Sequence, residues 1–204
     1  MNCTNPVSII QESPNKINRR TPKRKLFRCN QCINCKTYRA STWTQRLMDE
    51  LTWYNDICIV VLSYDNEHIR WGKRTQKGRY GTLWHPDVQK YIKRVRKAIN
   101  TEWKKGNLNA QEKELKYFVA GEYGTEKGRP HYHVVFYGLN GLKNKLHKKI
   151  VDENWGKGTV YWDTECREIN EAAMRYVAQY VQKKCMMAKA EHTTHPEGKQ
   201  NHII

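Results

Sequence analysis

No apolar run in this chain is long enough to cross a bilayer, and no basic amphipathic helix marks it for a membrane surface. The opening residues, Met1-Asn-Cys-Thr-Asn-Pro6, hold no apolar stretch, so a secretory leader is not expected. No segment repeats along the chain. Acidic residues are few: 20 Asp+Glu face 37 Lys+Arg, a formal charge of +17. Solubility alone would be served as well by acidic side chains. A basic surplus of this size points instead to a polyanion, because each neutralised phosphate releases a condensed counterion. Nucleic acid is the expected partner. The seven cysteines are an odd number and three sit in one cluster, which favours a reducing compartment and metal ligation over a disulfide framework.

At 204 residues the chain has the size of one compact domain with tails. Residues 1–28 read as irregular, with Pro6, Pro14 and Pro22 and a basic run at 19–25. A helix is expected over 37–54. Residues 57–64, Ile-Cys-Ile-Val-Val-Leu-Ser-Tyr, are apolar on both faces and predict a central strand. Residues 65–81 predict a loop with room for a short hairpin. His85-Pro86-Asp87 opens a helix whose Val88, Tyr91, Ile92, Val95 and Ile99 form an apolar stripe. A polar connection over 100–113 follows. Strands over 115–122 and 132–137 are joined through a turn carrying Gly124, Gly128 and Pro130. A helix over 142–154, a strand over 159–162 and a helix over 171–184 complete the pattern, with 185–204 loose. These elements predict an α+β fold: a central antiparallel sheet of about five strands, helices on one side and a cysteine-bearing N-terminal segment. The three motif-bearing strands should lie side by side at its centre.

His131 and His133 lie two apart, so on a strand both rings face one way and can share a metal ion. If the preceding strand pairs with theirs, Glu122 lies across from them and offers an oxygen. Such a ligand set suits Mg²⁺ or Mn²⁺, with Zn²⁺ able to bind in vitro. An isolated H-x-H is weak evidence, and a satisfied core histidine is commoner than a ligand. The β-branched run after it and the carboxylate before it raise its specificity. Further on, Tyr176 and Tyr180 stand at i and i+4 of a helix, with Lys183 and Lys184 one turn beyond. A phenol needs help to attack, since its ordinary pKa is about 10. A metal on the scissile phosphate and a nearby ammonium would supply it. Two tyrosines at this spacing are more often core residues, although packing against the sheet would also hold them over the metal.

Together these motifs resemble those of the HUH endonucleases that initiate rolling-circle replication, above all the initiators of gokushovirus-like microviruses. Four stretches carry the likeness: Cys3 with Cys29-Asn-Gln-Cys32-Ile-Asn-Cys35-Lys36; the strand ending Leu62-Ser63-Tyr64-Asp65; Gly121-Glu122-Tyr123-Gly124 with Gly128-Arg129-Pro130-His131-Tyr132-His133; and Tyr176-Val-Ala-Gln-Tyr180-Val-Gln-Lys-Lys184. The resemblance implies a ferredoxin- or RRM-like HUH domain over 55–184, preceded by a cysteine-cluster segment and helix over 1–54. A flexible tail would span 185–204. It implies a metal-dependent DNA-nicking and joining endonuclease, with His131, His133 and Glu122 as ligands of Mg²⁺ or Mn²⁺. Tyr176 and Tyr180 would be the nucleophiles, with Lys183 and Lys184 assisting. One tyrosine would cut single-stranded DNA at an origin, keep the 5′ end as a phosphotyrosine and free a 3′-OH. The second would cut the regenerated origin so that the displaced circle can be sealed. Host helicase and polymerase in the cytoplasm of a bacterial cell would be partners. The family often places a lysine three residues after each tyrosine. Here Gln179 follows Tyr176 and Lys183 follows Tyr180, which points to Tyr180 as the first nucleophile. The chain is shorter than initiators of this type, and no helicase domain is visible.

Cys29, Cys32 and Cys35 supply three ligands toward a closed tetrahedral zinc site. The family places a cysteine near its N-terminus, which makes Cys3 the expected fourth. Free thiols or an iron–sulfur cluster are the alternatives. Cys58, Cys166 and Cys185 read as ordinary residues, and His192, His195 and His202 carry no expected role. Aromatics interleaved with cations (Trp71 to Arg74, Arg79-Tyr80, Tyr38-Arg39, Trp43, Arg46) suit a single-strand groove, or are solvated faces and core edges. Two other classes compete with the initiator: an HUH transposase or plasmid relaxase, and a non-catalytic zinc-dependent nucleic-acid-binding module.

Overall fold

A computed structural model describes residues 2–11, 23–72, 81–124, 128–163 and 170–190, the last ten by backbone alone. Strands β1 (Val7–Gln11) and β2 (Lys23–Phe27) precede helix α1 (Ile33–Leu51) and strand β3 (Ile57–Ser63). A small ribbon of β4 (Arg70–Trp71) and β5 (Gly81–Thr82) leads into α2 (His85–Lys104) and the single turn α3 (Ala110–Lys113). Strands β6 (Lys116–Tyr123) and β7 (Pro130–Tyr137), helix α4 (Lys145–Glu153), strand β8 (Val160–Trp162) and helix α5 (Glu171–Ala190) complete the order.

The central sheet runs β6-β7-β3-β8, wholly antiparallel. It has four strands among the described residues, where about five were expected. The three motif strands are adjacent, with β6 at one edge. Helices cover both faces of the sheet, which corrects the expectation of one. Cys58, Val60 and Leu62 of β3, with Tyr132, Val134 and Phe136 of β7, meet the α2 stripe and Ile150 and Val151 of α4. Ile57 and Ile59, with Val135 and Tyr137, meet Leu47 of α1 and Met174, Val177 and Ala178 of α5. A strand apolar on both faces needs cover on both, because each exposed apolar face costs about 25 cal/mol per Å².

Residues 7–27 correct a second expectation, since β1 and β2 pair from Val7↔Phe27 to Gln11↔Lys23 where irregular chain was predicted. Val7, Ile9, Leu26 and Phe27 are all exposed, so no inside–outside alternation betrayed the ribbon. Helix α1 begins four residues earlier than expected and takes Cys35 into its first turn. Helix α2 runs on to Lys104, and α5 continues to Ala190 through the first residues of the stretch read as loose. The short hairpin expected within 65–81 is the β4–β5 ribbon.

Two buried contacts brace the sheet near its functional end. Gly158 has φ +143°, and a side chain there would run into Ser63 O and Asp65 N. The loop it belongs to accepts N–H bonds from Ser63 (to Thr159 O, 2.9 Å) and Asp65 (to Lys157 O, 3.0 Å). It thereby fixes Ser63, the β3 partner of His131. On the other side, the buried His147 accepts the Asn140 N–H at Nδ1 (3.0 Å) and places Nε2 2.7 Å from Glu112 Oε1. The Glu112 carboxylate also accepts from Asn109 N–H in a capping box that closes α3. His147→Ala strands a carboxylate and a backbone N–H. We expect a loss of about 2–3 kcal/mol and a thermal midpoint about 5–10 °C lower. Glu112→Gln, which keeps an acceptor, should cost less.

Candidate active site

The β6–β7 hairpin sets Glu122 directly across from His131, as the sequence predicted. Alternation then puts Glu122, His131 and His133 on the face that α5 covers, in line with Ala120 and Val135. Glu122 Oε2 lies 3.1 Å from His131 Nε2 and 2.9 Å from His133 Nε2. One ligand atom from each of the three falls within 4.8 Å of the others. His131 Nδ1 lies 3.2 Å from Arg129 O. A proton on Nδ1 would bond that carbonyl and leave Nε2 as a bare lone pair, the tautomer that metal-ligating histidines use. Arg129 itself donates to Asn66 Oδ1 (2.7 Å) and Tyr64 O (2.8 Å), clamping the turn before β7 to the end of β3. Sequence reasoning assigned Arg129 no role. Two imidazoles and a carboxylate converging on one point fit a divalent cation with positions left for substrate.

Helix α5 brings both tyrosines to this cradle, but not equivalently. Ala173, Met174, Val177 and Ala178 are buried against the sheet and fix the helix in depth and rotation. Tyr180 is 3% exposed and its ring stacks on His133, with centroids 3.7 Å apart and planes 11° apart. Tyr176 is 44% exposed, 6.5 Å from the His133 ring and edge-on to it. The two phenols meet edge to face at 5.1 Å. Burial pushes the Tyr180 phenol well above its ordinary range, aided by a hydrogen bond with the Tyr176 hydroxyl and by the charges of Glu122 and Asp163. Asp163, whose N–H donates to Ile59 O at 3.0 Å, is a second site neighbour the sequence did not announce. Its only signal was a carboxylate just past a short strand. Lys183 and Lys184 lie in α5, but their side chains fall outside the described residues.

Cys3, Cys29, Cys32 and Cys35 gather as expected, all four sulfurs within 4.8 Å. The Cys29–Cys35 and Cys32–Cys3 sulfur pairs are each 3.9 Å apart. Four sulfurs at zinc–thiolate length from one central ion would stand about 3.8 Å apart. Asn30, at φ +58°, turns the chain so that Gln31 and Cys32 donate N–H bonds to Cys29 Sγ (3.5 and 3.3 Å), while Cys29 N–H donates to Cys3 Sγ (3.3 Å). Bonds from the Thr4 hydroxyl and backbone bring the Cys32 thiol down to about 5, while burial pushes Cys35 up to about 11. Cys58 is buried in the sheet core. Cys166, His192, His195 and His202 lie outside the described residues, as does the Cys185 side chain.

Of the aromatics read as base-stacking candidates, Tyr38 and Trp71 are exposed. Trp43 instead packs on Phe118 at 5.1 Å, a core edge. Lys73, Arg74, Arg79 and Tyr80 lie outside the described residues. Among the described residues no helix is long and apolar enough to cross a membrane.

Residues 58–185 match the family of replication-associated proteins ORF2, a span covering the first motif strand, the cradle and both tyrosines. The chain belongs to this family. Among its relatives are the replication-associated protein ORF2 of Spiroplasma virus 4, 26% identical over 174 residues, and protein VP4 of Bdellovibrio phage phiMH2K, 26% over 182. Protein ORF4 of Chlamydia phage 1 is 25% identical over 171. These alignments cover 76%, 83% and 76% of this family member but 48%, 52% and 38% of the relatives, so it spans about half their length or less. The microvirus-type resemblance drawn from the motifs therefore holds. A solved nuclease domain of the minute virus of mice non-structural protein 1 aligns over 69% of this chain and 68% of that one. Its TM-score of 0.29 and 12% identity are too low for that likeness to carry weight.

Proposed function

We propose that the chain nicks and rejoins single-stranded DNA at a replication origin, with Tyr176 as the first nucleophile. The observation that carries this reading is one half-exposed phenol standing beside a convergent His-His-Glu cradle. A divalent cation held by Glu122, His131 and His133, Mn²⁺ or Mg²⁺, would withdraw charge from the scissile phosphate. Tyr176 Oη attacks phosphorus and the P–O3′ bond breaks. The 5′ end stays on the chain as a phosphotyrosine, and the 3′ oxygen leaves as a hydroxyl, the phenolic proton balancing it. Because the ester bond is conserved, rejoining needs no nucleotide cofactor. Host polymerase would extend the freed 3′-OH while a host helicase unwinds ahead of it. Tyr180 then cuts the regenerated junction, and the new 3′-OH attacks the first phosphotyrosine to close the circle. Lys183, one turn beyond Tyr180, is placed to offset charge in that second step. The four-cysteine cluster would hold a structural Zn²⁺, since sulfurs this close surround one ion better than a multi-iron cluster.

The test is to incubate the chain with Mn²⁺ and a 3′-labelled randomised single-stranded library and resolve it under denaturing conditions. A labelled adduct that disappears with EDTA is expected; its absence from the intact chain would favour a binding module. Glu122→Gln keeps the shape of the cradle and removes its charge. We expect it to weaken Mn²⁺ binding by at least about 100-fold by calorimetry, with adduct yield falling in parallel.

A further inference from the structure

We propose that the cleft beside the cysteine cluster, lined by Asn2, Arg28, Asn34, Thr37 and Tyr38, is a second contact for single-stranded DNA. Its volume, about 390 Å³, falls within the range of ligand clefts. None of its residues belongs to the metal cradle or the tyrosine helix. The Arg28 guanidinium lies 3.7 Å from the centre of the Tyr38 ring, and Tyr38 is 51% exposed, so a base has an aromatic and a cationic surface to stack on. Among the described residues no carboxylate forms an ion pair with Arg28, which leaves its charge for a phosphate. The Asn34 amide donates to Asn2 O at 2.7 Å and keeps its own oxygen as an acceptor for a base edge. The approach along β2 repeats the chemistry, with Lys25 over the exposed Phe27 ring at 5.6 Å. The cysteine cluster makes the cleft rigid. Arg28 directly precedes Cys29, while Asn34 and Tyr38 flank Cys35 on α1. An acidic peptide would satisfy Arg28 but would leave the stacking surface unused. This inference rests on single-stranded DNA being the substrate, yet it stands apart from the cutting chemistry.

The probe is fluorescein-labelled dT30 binding to the full chain, followed by anisotropy at several salt concentrations. Arg28→Ala/Tyr38→Ala should raise Kd about tenfold or more and make the salt slope shallower by about one. Tyr38→Phe should bind like the parent, and Lys93→Ala on the outer face of α2 should shift Kd less than threefold. Thr37→Glu, at an exposed helix position, places a repelling charge in the cleft without removing a packed side chain and should weaken binding comparably. Metal content and melting temperature verify that each variant is folded. Adduct formation from the randomised library at saturating DNA should stay within threefold of the parent. Binding within twofold of the parent in both the double variant and Thr37→Glu overturns the inference. If the parent chain forms no adduct but the variants still lose dT30, the nicking reading fails and this one stands.

Discussion

Tyr176→Phe should form no detectable covalent adduct with single-stranded DNA, a loss of about 10³-fold or more, while Tyr180→Phe keeps the first cut within about tenfold. The asymmetry follows from depth. Tyr180 lies flat on His133 with 3% of its surface exposed, and burial holds it as the neutral phenol. Tyr176 is open to solvent and edge-on to the same imidazole. Lysine spacing in the sequence pointed the other way, because only Tyr180 has a lysine three residues on; accessibility supports Tyr176. The second tyrosine should matter later. In an assay with two labelled oligonucleotides, strand exchange should require both phenols, so Tyr180→Phe should cleave yet fail to exchange. Freeing the Tyr180 ring gives up an aromatic contact worth about 0.5–1.5 kcal/mol beyond its burial, small enough for a step within turnover. Exchange at the parental level in Tyr180→Phe would instead favour a one-tyrosine transposase or relaxase.

Stripping metal from the cysteine cluster should have the largest effect on stability. We expect about one zinc per chain by elemental analysis, and a melting temperature more than about 10 °C lower once a strong chelator or Cys32→Ser removes it. Structural zinc contributes about 10–16 kcal/mol in small fingers that lack a core of their own. Here α1 also shares a core with α5 through Leu47 and Met174, so only part of that range should appear as global stability. The remainder should be local. Hydrogen exchange should accelerate in Val7–Gln11, Lys23–Phe27 and the first turn of α1 while β3 and β7 stay protected. Acid should act in the same direction as chelation. Metal displaces a proton from each protonated thiol, Cys35 above all with its value near 11, so retention weakens as pH falls.

Much of the site was legible because strand alternation is a rigid rule. Once Glu122 and His131 are known to face each other across a hairpin, His133 must join them on the same side. The cysteine cluster was equally readable, since thiolates at short fixed spacing have few other uses. The depth of the tyrosines was not. Spacing of four residues puts two side chains about 40° apart on a helix, which says they are neighbours and not which one turns inward. That is decided by Val177 and Ala178 packing on a sheet face, a tertiary fact. The β1–β2 ribbon escaped for the opposite reason: with both faces exposed it carries no burial pattern. The doubled layer of helices was implicit in β3, whose apolar residues occupy both sides. Arg129 clamps two motifs through an amide and a carbonyl, contacts that no local pattern encodes.

The most direct measurement is to map the covalent bond. The adduct formed by the intact chain with Mn²⁺ and randomised single-stranded DNA is digested with nuclease and trypsin. The peptide spanning 176–183 is then sequenced by mass spectrometry. The expected result is a nucleotide phosphate on Tyr176, with a minor fraction on Tyr180 after prolonged turnover. A nucleotide on a residue outside this helix, or DNA bound tightly with no covalent bond at all, would contradict the account.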